Sequence, residues 1–359
     1  MTKKKEILII GAGPSGLSAA IFLHEHGFKP KVIDKKSCIG PYSKALAINP
    51  RTLEIFEAFG LTDRFLRNGR KMEAINVWKG DTHLYKNKFT HVEHKYPFML
   101  IQPQKESEEI LLEEVQRRKI NIEYEAEFFS YEEKEGCKYV VHADQVDVDR
   151  NFDFIIGADG GHSKVREKSN LKLSGFSYDE SWEIVDVELD LALNIDEGHI
   201  RIFPEGGMIM IRLKDSVWRL AGNLNSILNY LPAGTKVGEI SWESSFRIHH
   251  KIANRLTENG IVLIGDAAHL HSPAGARGMN LGIEDAFLMS QHIANDNLEA
   301  YNKARRNYLK NTVSRINAIT IGMAGDNYTA RLIRSQLQNF KFLLPVVMPR
   351  IRRFILGLN

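Results

Sequence analysis

The sequence predicts an α/β fold: a Rossmann-like domain assembled from separated stretches of chain, a mainly antiparallel β-sheet inserted into it, and a helical segment at the carboxyl end. Three observations carry this. A glycine-rich hexapeptide, Gly11-Ala12-Gly13-Pro14-Ser15-Gly16, lies between a short apolar run and an amphipathic one. Two later stretches, beginning at Gly157 and Gly265, repeat the order of apolar run, small residues and carboxylate. Between those two, in Trp182 to Asp190 and His199 to Leu224, the periodicity changes to strand-like alternation.

Taken in order, Glu6 to Ile10 reads as a buried strand, the hexapeptide follows at once, and Leu17 to His26 is an amphipathic helix. Lys31 to Ile33 is a second strand ending in Asp34, eighteen residues past Gly16. Strand, glycines, helix and acid together form the dinucleotide fingerprint. Gly11 makes the tight turn, Gly13 lets a pyrophosphate reach the backbone, Gly16 permits helix against strand, and Asp34 accepts ribose hydroxyls. Pro50 suits a helix start with Asn49 as its cap, and Leu53, Phe56 and Leu61 supply a core stripe. Strands over Ile75 to Tyr96 turn at Lys79-Gly80-Asp81, Glu106 to Lys119 is a helix, and Glu123 to Phe129 and Tyr139 to His142 are strands.

Phe152 to Ile156 is another buried strand, leading into Gly157 to Arg166 with Asp159 at its end. Taken alone, this turn reads equally well as an N-capped helix start; beside the first motif it reads as a second dinucleotide-contacting loop. The alternating strands are broken at Glu205-Gly206-Gly207 and Lys214-Asp215-Ser216. Ile261 to Ile264 is a final buried strand ended by Gly265 and Asp266, before a loop rich in Pro and Gly and a helix from about Asn280. A carboxylate for hydroxyl groups beside a helix amino terminus for negative charge suits an anionic ligand. The segments 1–74, 98–177 and 252–296 are assigned to the discontinuous dinucleotide domain, 75–97 and 178–251 to the inserted substrate domain, and 297–359 to the helical carboxyl-terminal region.

Composition narrows the class. The chain has 359 residues with 43% hydrophobic and 26% charged content, as in an ordinary globular protein, and its formal charge of +3 gives no reason to expect nucleic acid. Its two cysteines, Cys38 and Cys137, are too few for a disulfide framework and lie in no metal-ligand spacing. No stretch approaches the roughly 18 apolar residues of a membrane span, and the expected location is cytoplasmic. The charge is uneven, however. From Lys303 to Arg353 eleven basic residues face one acid, Asp326.

The three motifs in this order resemble the flavin signatures of the single-component (class A) FAD-dependent monooxygenases with the para-hydroxybenzoate hydroxylase fold. ALAINPRTLEIFEAFGL, PQKESEEIL and FRIHHKIANRL resemble the family's intervening stretches. The resemblance implies FAD as cofactor, NADPH or NADH as transient reductant, and dioxygen and an aromatic or similarly electron-rich molecule as substrates, hydroxylated through a flavin C4a-hydroperoxide. It places Gly11, Gly13, Pro14, Ser15 and Gly16 on the FAD pyrophosphate, Asp34 on the adenosine ribose, Arg51 and Gln104 near the cofactor, and Asp159 with Arg166 at both cofactors. It also places Gly265 and Asp266 at the ribityl chain, Gly278, Met279 and Asn280 at the flavin pyrimidine edge, and Pro273 on the substrate side, so that Pro273, Gly278 and Asn280 border the reaction. Lys44 stands where relatives often carry Arg, which puts phosphate contact there in doubt. Arg212 stands where many carry Pro and reads either as a solvated edge-strand arginine or as an anion anchor.

Candidates for a substrate-activating base are His249, His250, His269, His271, Tyr85 and Tyr96; spacing singles out none. Rival readings on the same fold are a FAD-dependent reductase or dehydrogenase without oxygen insertion and a flavin-binding protein associated with membranes. A halogenase is disfavoured by the lack of a WxWxIP-like stretch. The tail from Phe340 to Leu358 mixes apolar residues with Arg350, Arg352 and Arg353 and reads as a helix docked on the FAD domain or as a peripheral membrane contact. Pro345 and Pro349 interrupt a long amphipathic face and favour docking. A monomer and a homodimer are equally compatible with the sequence.

Overall fold

The structure, a computed structural model, describes residues 5–40, 45–134, 138–144, 151–325 and 328–358. Two sheets dominate it. The first has the strand order Thr257–Glu258, Ile261–Leu263, Phe154–Gly157, Ile7–Ile10, Lys31–Ile33, Asn121–Glu123, parallel except at the Thr257–Glu258 edge. Its central strands read as continuous apolar runs because both faces are covered. Ile9 lies beside Ile156 and Val32, and Ile156 beside Val262.

Strand order fixes the site. From Ile7–Ile10 the chain adds Lys31–Ile33 on one side and later Phe154–Gly157 on the other, so the order reverses at this central strand. The crevice outside the carboxyl ends of strands at such a switch point is where ligands bind in open α/β sheets. All three motifs leave the sheet at that edge: Gly11 after Ile10, Ala158 after Gly157 and Gly265 just after Leu263.

The second sheet has eight strands in the order His269–Leu270, Lys236–Ala253, Leu173–Asp190, Val217–Gly222, Gly207–Lys214, Gly198–Ile202, Ala74–Lys79, Thr82–Lys88. Every neighbouring pair is antiparallel except Gly198–Ile202 with Ala74–Lys79. Leu173–Asp190 and Lys236–Ala253 pair along 18 residues each, with register shifts after Ser177, Asp186 and Val187. These two ribbons run unbroken across 177/178 and 251/252, where the sequence reading places the domain join. The single strand expected over Glu123 to Phe129 is instead two. Glu125 takes φ 57 and ends Asn121–Glu123, and the chain resumes as Phe128–Lys134 in a separate small sheet.

The helices follow their signals. Pro14–Glu25, Gln104–Arg117 and Gly278–Ala294 each begin two or three residues before the apolar periodicity that predicted them. The Asn49 side chain caps Pro50–Glu57 by accepting from the Thr52 amide at 2.9 Å, and Leu53, Phe56 and Leu61 are buried. Trp182, Ile248, Ala274, Ile316 and Phe354 form one cluster that joins the second sheet, the third motif's loop and the tail.

The tail packs against the second sheet as well as the dinucleotide-domain loop. The helix Leu344–Ile355 takes a hydrogen bond from Asn87 at the Met348 carbonyl, and Arg352 donates to the Lys88 carbonyl at 2.6 Å. Arg334 donates to the carbonyls of Gly325 at 2.6 Å and Pro204 at 2.8 Å. Two tail arginines are thereby buried as donors to backbone carbonyls.

Candidate active site

A single cavity of about 2030 Å³ runs from the fingerprint glycines to the second sheet and the tail. That is roughly two to seven times a drug-sized site of about 300–1,000 Å³ and gives room for a dinucleotide and a second ligand.

At one end the three glycines divide their work. Gly11 has φ +107, and a Cβ there would lie 2.4 Å from the Ala158 carbonyl oxygen. A Cβ on Gly16 would lie 1.9 Å from the Gly11 oxygen. Around Gly13 a Cβ meets nothing within 4 Å, because that face belongs to the cavity. Pro14 opens the helix, and its first-turn amides point back toward this space with no acidic side chain among them. The Ser15 hydroxyl sits where a Cβ on Gly282 or Gly265 would be, at 2.2 and 2.5 Å, so the amino ends of two helices meet here through glycine. Asp34 accepts from the Ala12 amide at 2.6 Å and the Lys36 amide at 2.8 Å while lining the cavity. Each oxygen keeps a lone pair for a ligand hydroxyl.

Asp159 serves the fold and faces the cavity. One oxygen accepts from the amides of Lys164 at 2.7 Å and Val165 at 3.1 Å, as an N-cap would. Its other oxygen, Oδ1, is buried without a hydrogen bond of normal geometry among the described residues. Burial raises the carboxyl above its ordinary range, against the pull of hydrogen bonds from Ser163 and the helix amides. Arg166 donates to Gly161 O at 2.7 Å and Ala267 O at 2.8 Å, tying the second motif to the third.

In the third motif Gly265 takes φ +59 and Asp266 turns outward into the cavity. Pro273, Gly278 and Met279 line the next section. The Asn280 side chain does not line it: Asn280 accepts from Asn49 N at 2.9 Å and donates to Ala47 O at 2.9 Å and Ala276 O at 2.8 Å. Its side chain is a clamp on the loop, leaving the helix-start amides of Gly278 to Asn280 for a ligand. Gln104 lines the cavity with its amide on Glu108 at 2.8 Å. Arg51 is outside the lining and pairs with Glu54 at 3.1 Å and Glu284 at 3.5 Å. Lys44 lies outside the described residues.

The loop rests on a buried cluster that the motif reading overlooks. Asp285 accepts from Gly265 N at 3.0 Å, meets His269 Nε2 at 2.7 Å and takes Arg305 Nε at 2.6 Å. Arg305 continues to Glu284 at 2.8 Å and the Leu281 carbonyl at 3.1 Å. Burial opposes the Asp285 charge, but Arg305 and His269 overcome it and hold the carboxyl at about 2. A sequence signal existed: Leu281, Asp285 and Met289, four residues apart, are all buried, and a carboxylate on an apolar helix stripe requires a partner.

The far end of the cavity is aliphatic, walled by Ile75, Ile184, Ile200, Ile209, Ile211 and Ile319. Arg219 reaches it with its charge already matched by Asp186, through two 2.7 Å contacts directly across the strands. His271 and His249 are the base candidates that line the cavity. His271 donates from Nδ1 to Ser272 O at 2.8 Å, which leaves Nε2 as the acceptor nitrogen, and burial pushes its pKa down to about 3. His249 contacts Ser177 Oγ at 2.7 Å. His250, His269, Tyr85 and Tyr96 do not line it, and Tyr96 instead donates to Glu57 at 3.0 Å. Arg212, read as a candidate anion anchor, is also away from the cavity, held by Ile195 O and Asp196, both at 3.1 Å. Among the described residues no three His, Cys, Asp or Glu side chains could hold a metal ion.

The cradle fits FAD: an open face at Gly13, helix amides for a pyrophosphate, and an under-bonded buried oxygen on Asp159 for a donor. A family model described as FAD binding domain matches residues 4–216 and 225–316. The chain belongs to this FAD-binding family. It is 30% identical to 6-methylpretetramide 4-monooxygenase of Streptomyces rimosus over 80% of its own length and 55% of that protein's. With pentachlorophenol 4-monooxygenase of Sphingobium chlorophenolicum the identity is 28%, covering 80% of this chain and 58% of the other. The chain thus spans little more than half of these relatives. Among solved structures, p-nitrophenol 4-monooxygenase from Pseudomonas putida superposes with a TM-score of 0.81 at 18% identity over 99% of both chains. The anhydrotetracycline hydroxylase from Streptomyces rimosus gives 0.79 at 22% identity over 99% of this chain and 75% of that one. The fold is that of the para-hydroxybenzoate hydroxylase group, and its cofactor is FAD. Among the described residues no helix is long and apolar enough to cross a membrane.

Proposed function

We propose that this protein is an FAD-dependent monooxygenase that uses NADPH or NADH and dioxygen to hydroxylate an aromatic or similarly electron-rich small molecule. The carrying observation is the continuity of one cavity from the dinucleotide cradle, past Pro273, Gly278 and Met279, into an isoleucine-walled chamber. FAD bound there supplies hydride acceptance and the activation of oxygen. The chain's own residues bind and orient. Asp34 and Asp159 take ligand donors, Asp266 stands beside the polar chain of the cofactor, and the amides at the start of Gly278–Ala294 favour negative charge at the ring. The aliphatic chamber, formed mainly by 75–97, 178–251 and the tail, holds the substrate and excludes water. Kinship with a 6-methylpretetramide 4-monooxygenase and a pentachlorophenol 4-monooxygenase supports this reading. The exposed apolar and basic residues of the tail support peripheral membrane contact.

The test is to load the purified protein with FAD and screen phenols, quinone precursors and polyketide-like aromatics for stimulated NADPH and NADH oxidation. Product mass accompanies each assay. A product one oxygen atom heavier supports the proposal. Reduction or oxidation of the substrate without added oxygen replaces it with a reductase or dehydrogenase.

A further inference from the structure

The tail is docked, yet it leaves an apolar face uncovered. Phe342 is 67% exposed and Val346 62%, with Phe340 and Leu343 beside them. Ile333 at 53% and Val347 at 44% are exposed and also line the cavity. A residue that does both marks a mouth, so the chamber opens through this apolar face. Arg350 and Arg353, exposed and lining the cavity, stand at the same mouth. Lys341 adds a third exposed cation, and the sequence from Lys303 to Arg353 carries eleven basic residues against one acid.

We propose that this face docks on an anionic lipid surface and that the cavity takes its apolar ligand directly from the bilayer. Apolar side chains that reach the acyl boundary, with cations at headgroup level, are what such a surface recognises. A second copy fits poorly, because a two-fold contact would set arginine against arginine. The aliphatic chamber behind the mouth suits a ligand that partitions into lipid. The ligand half of the proposal rests on the chamber being the substrate site; the docking half does not.

Flotation with vesicles of phosphatidylcholine alone, or mixed with phosphatidylserine, tests the docking. The protein is expected to float with the mixed vesicles only, and less so in high salt. F342D/V346D should abolish flotation while FAD content and melting stay as in the parent. R350E/R353E should weaken it at least about tenfold. A parent protein that stays at the bottom, or an F342D/V346D variant that floats equally well, overturns the proposal. So does a dimer in light scattering that F342D/V346D splits without any vesicle binding. For the ligand route, a long-chain alkylphenol is offered in mixed vesicles or in detergent micelles and its binding read from quenching of the FAD fluorescence. The variant should lose capture from vesicles and keep capture from micelles; equal capture from both overturns the route. Flotation needs no turnover, so failure of the hydroxylase assay and failure of docking are told apart.

Discussion

The two ends of the cavity are built by opposite means. At the dinucleotide end, polar groups are fixed by backbone: Asp34 is pinned by two amides, Asp159 by two more, and glycines bring chain against chain at separations that no Cβ survives. At the chamber end, the walls are isoleucines from distant strands and helices, and Arg219, brought in from a central strand, is neutralised in place by Asp186. The first end is a mould for one ligand. The second is a volume whose shape follows from side-chain size, so substitutions should break the first and merely retune the second.

The largest effect is expected beneath the mould. Asp285→Asn leaves Arg305 buried with only Glu284 as its counter-charge, and breaking such a pair costs about 3–5 kcal/mol. Urea unfolding should show a loss near the lower figure, because Glu284 remains at 2.8 Å. The Asp285 carboxyl is held at about 2, below its unfolded value, so its stabilisation is present above about pH 4 and is lost as pH falls toward 2. In the variant that acid limb should shrink. Gly16→Ala comes next, since its Cβ would overlap the Gly11 oxygen at 1.9 Å; overpacking of this kind costs about 1–3 kcal/mol, and the purified variant should lack FAD. Gly13→Ala separates folding from binding. Its Cβ meets no protein atom within 4 Å, so melting should match the parent while FAD affinity, read by fluorescence, falls at least about a hundredfold.

Ile209→Trp makes the contrasting change at the chamber. It fills the cavity and should leave FAD affinity unaltered while raising KM for any accepted aromatic about tenfold. Loss of FAD in this variant would show the two ends to be one mould after all.

The same contrast explains what the sequence reveals. The fingerprint, the switch point and the strand at Ile261 are legible because each is contiguous and each glycine has a local steric reason. Motif position does not carry side-chain direction. Arg51, expected near the cofactor from the resemblance, pairs with Glu54 and Glu284, while Asn280 closes a clamp on Asn49 and Ala47. Pairing between helices is half hidden: the apolar stripe shows that Asp285 needs a partner, but nothing in the sequence names Arg305, twenty residues on. The chamber is least legible, since Ile75, Ile209 and Ile319 converge only through a sheet order that no short stretch encodes. In the tail, composition shows the basic charge but not that Arg334 and Arg352 lie buried on backbone carbonyls while Arg350 and Arg353 remain exposed.

The smallest effect is expected where the two ends meet, at His271. Burial holds its imidazole at about 3, and His250 nearby is held at about 4 by the same cause. Both are neutral in the folded protein across the range in which an unfolded histidine, near 6.5, gains a proton. Between roughly pH 6.5 and 4 the unfolded chain therefore binds more protons, and stability falls as pH falls, by at most about 1.4 kcal/mol per pH unit for each histidine. His271→Gln removes one of these protons and keeps a neutral acceptor near the Nε2 position. Its denaturation midpoint should decline less steeply with acid than the parent's, and ligand binding should change by no more than about threefold, whereas His271→Ala loses one hydrogen bond and about tenfold in affinity. With burial holding the folded imidazole at about 3, His271 is expected to serve as a fixed acceptor and not as a base. A limb in the kcat profile between pH 5 and 8 that disappears in His271→Gln would reverse that assignment.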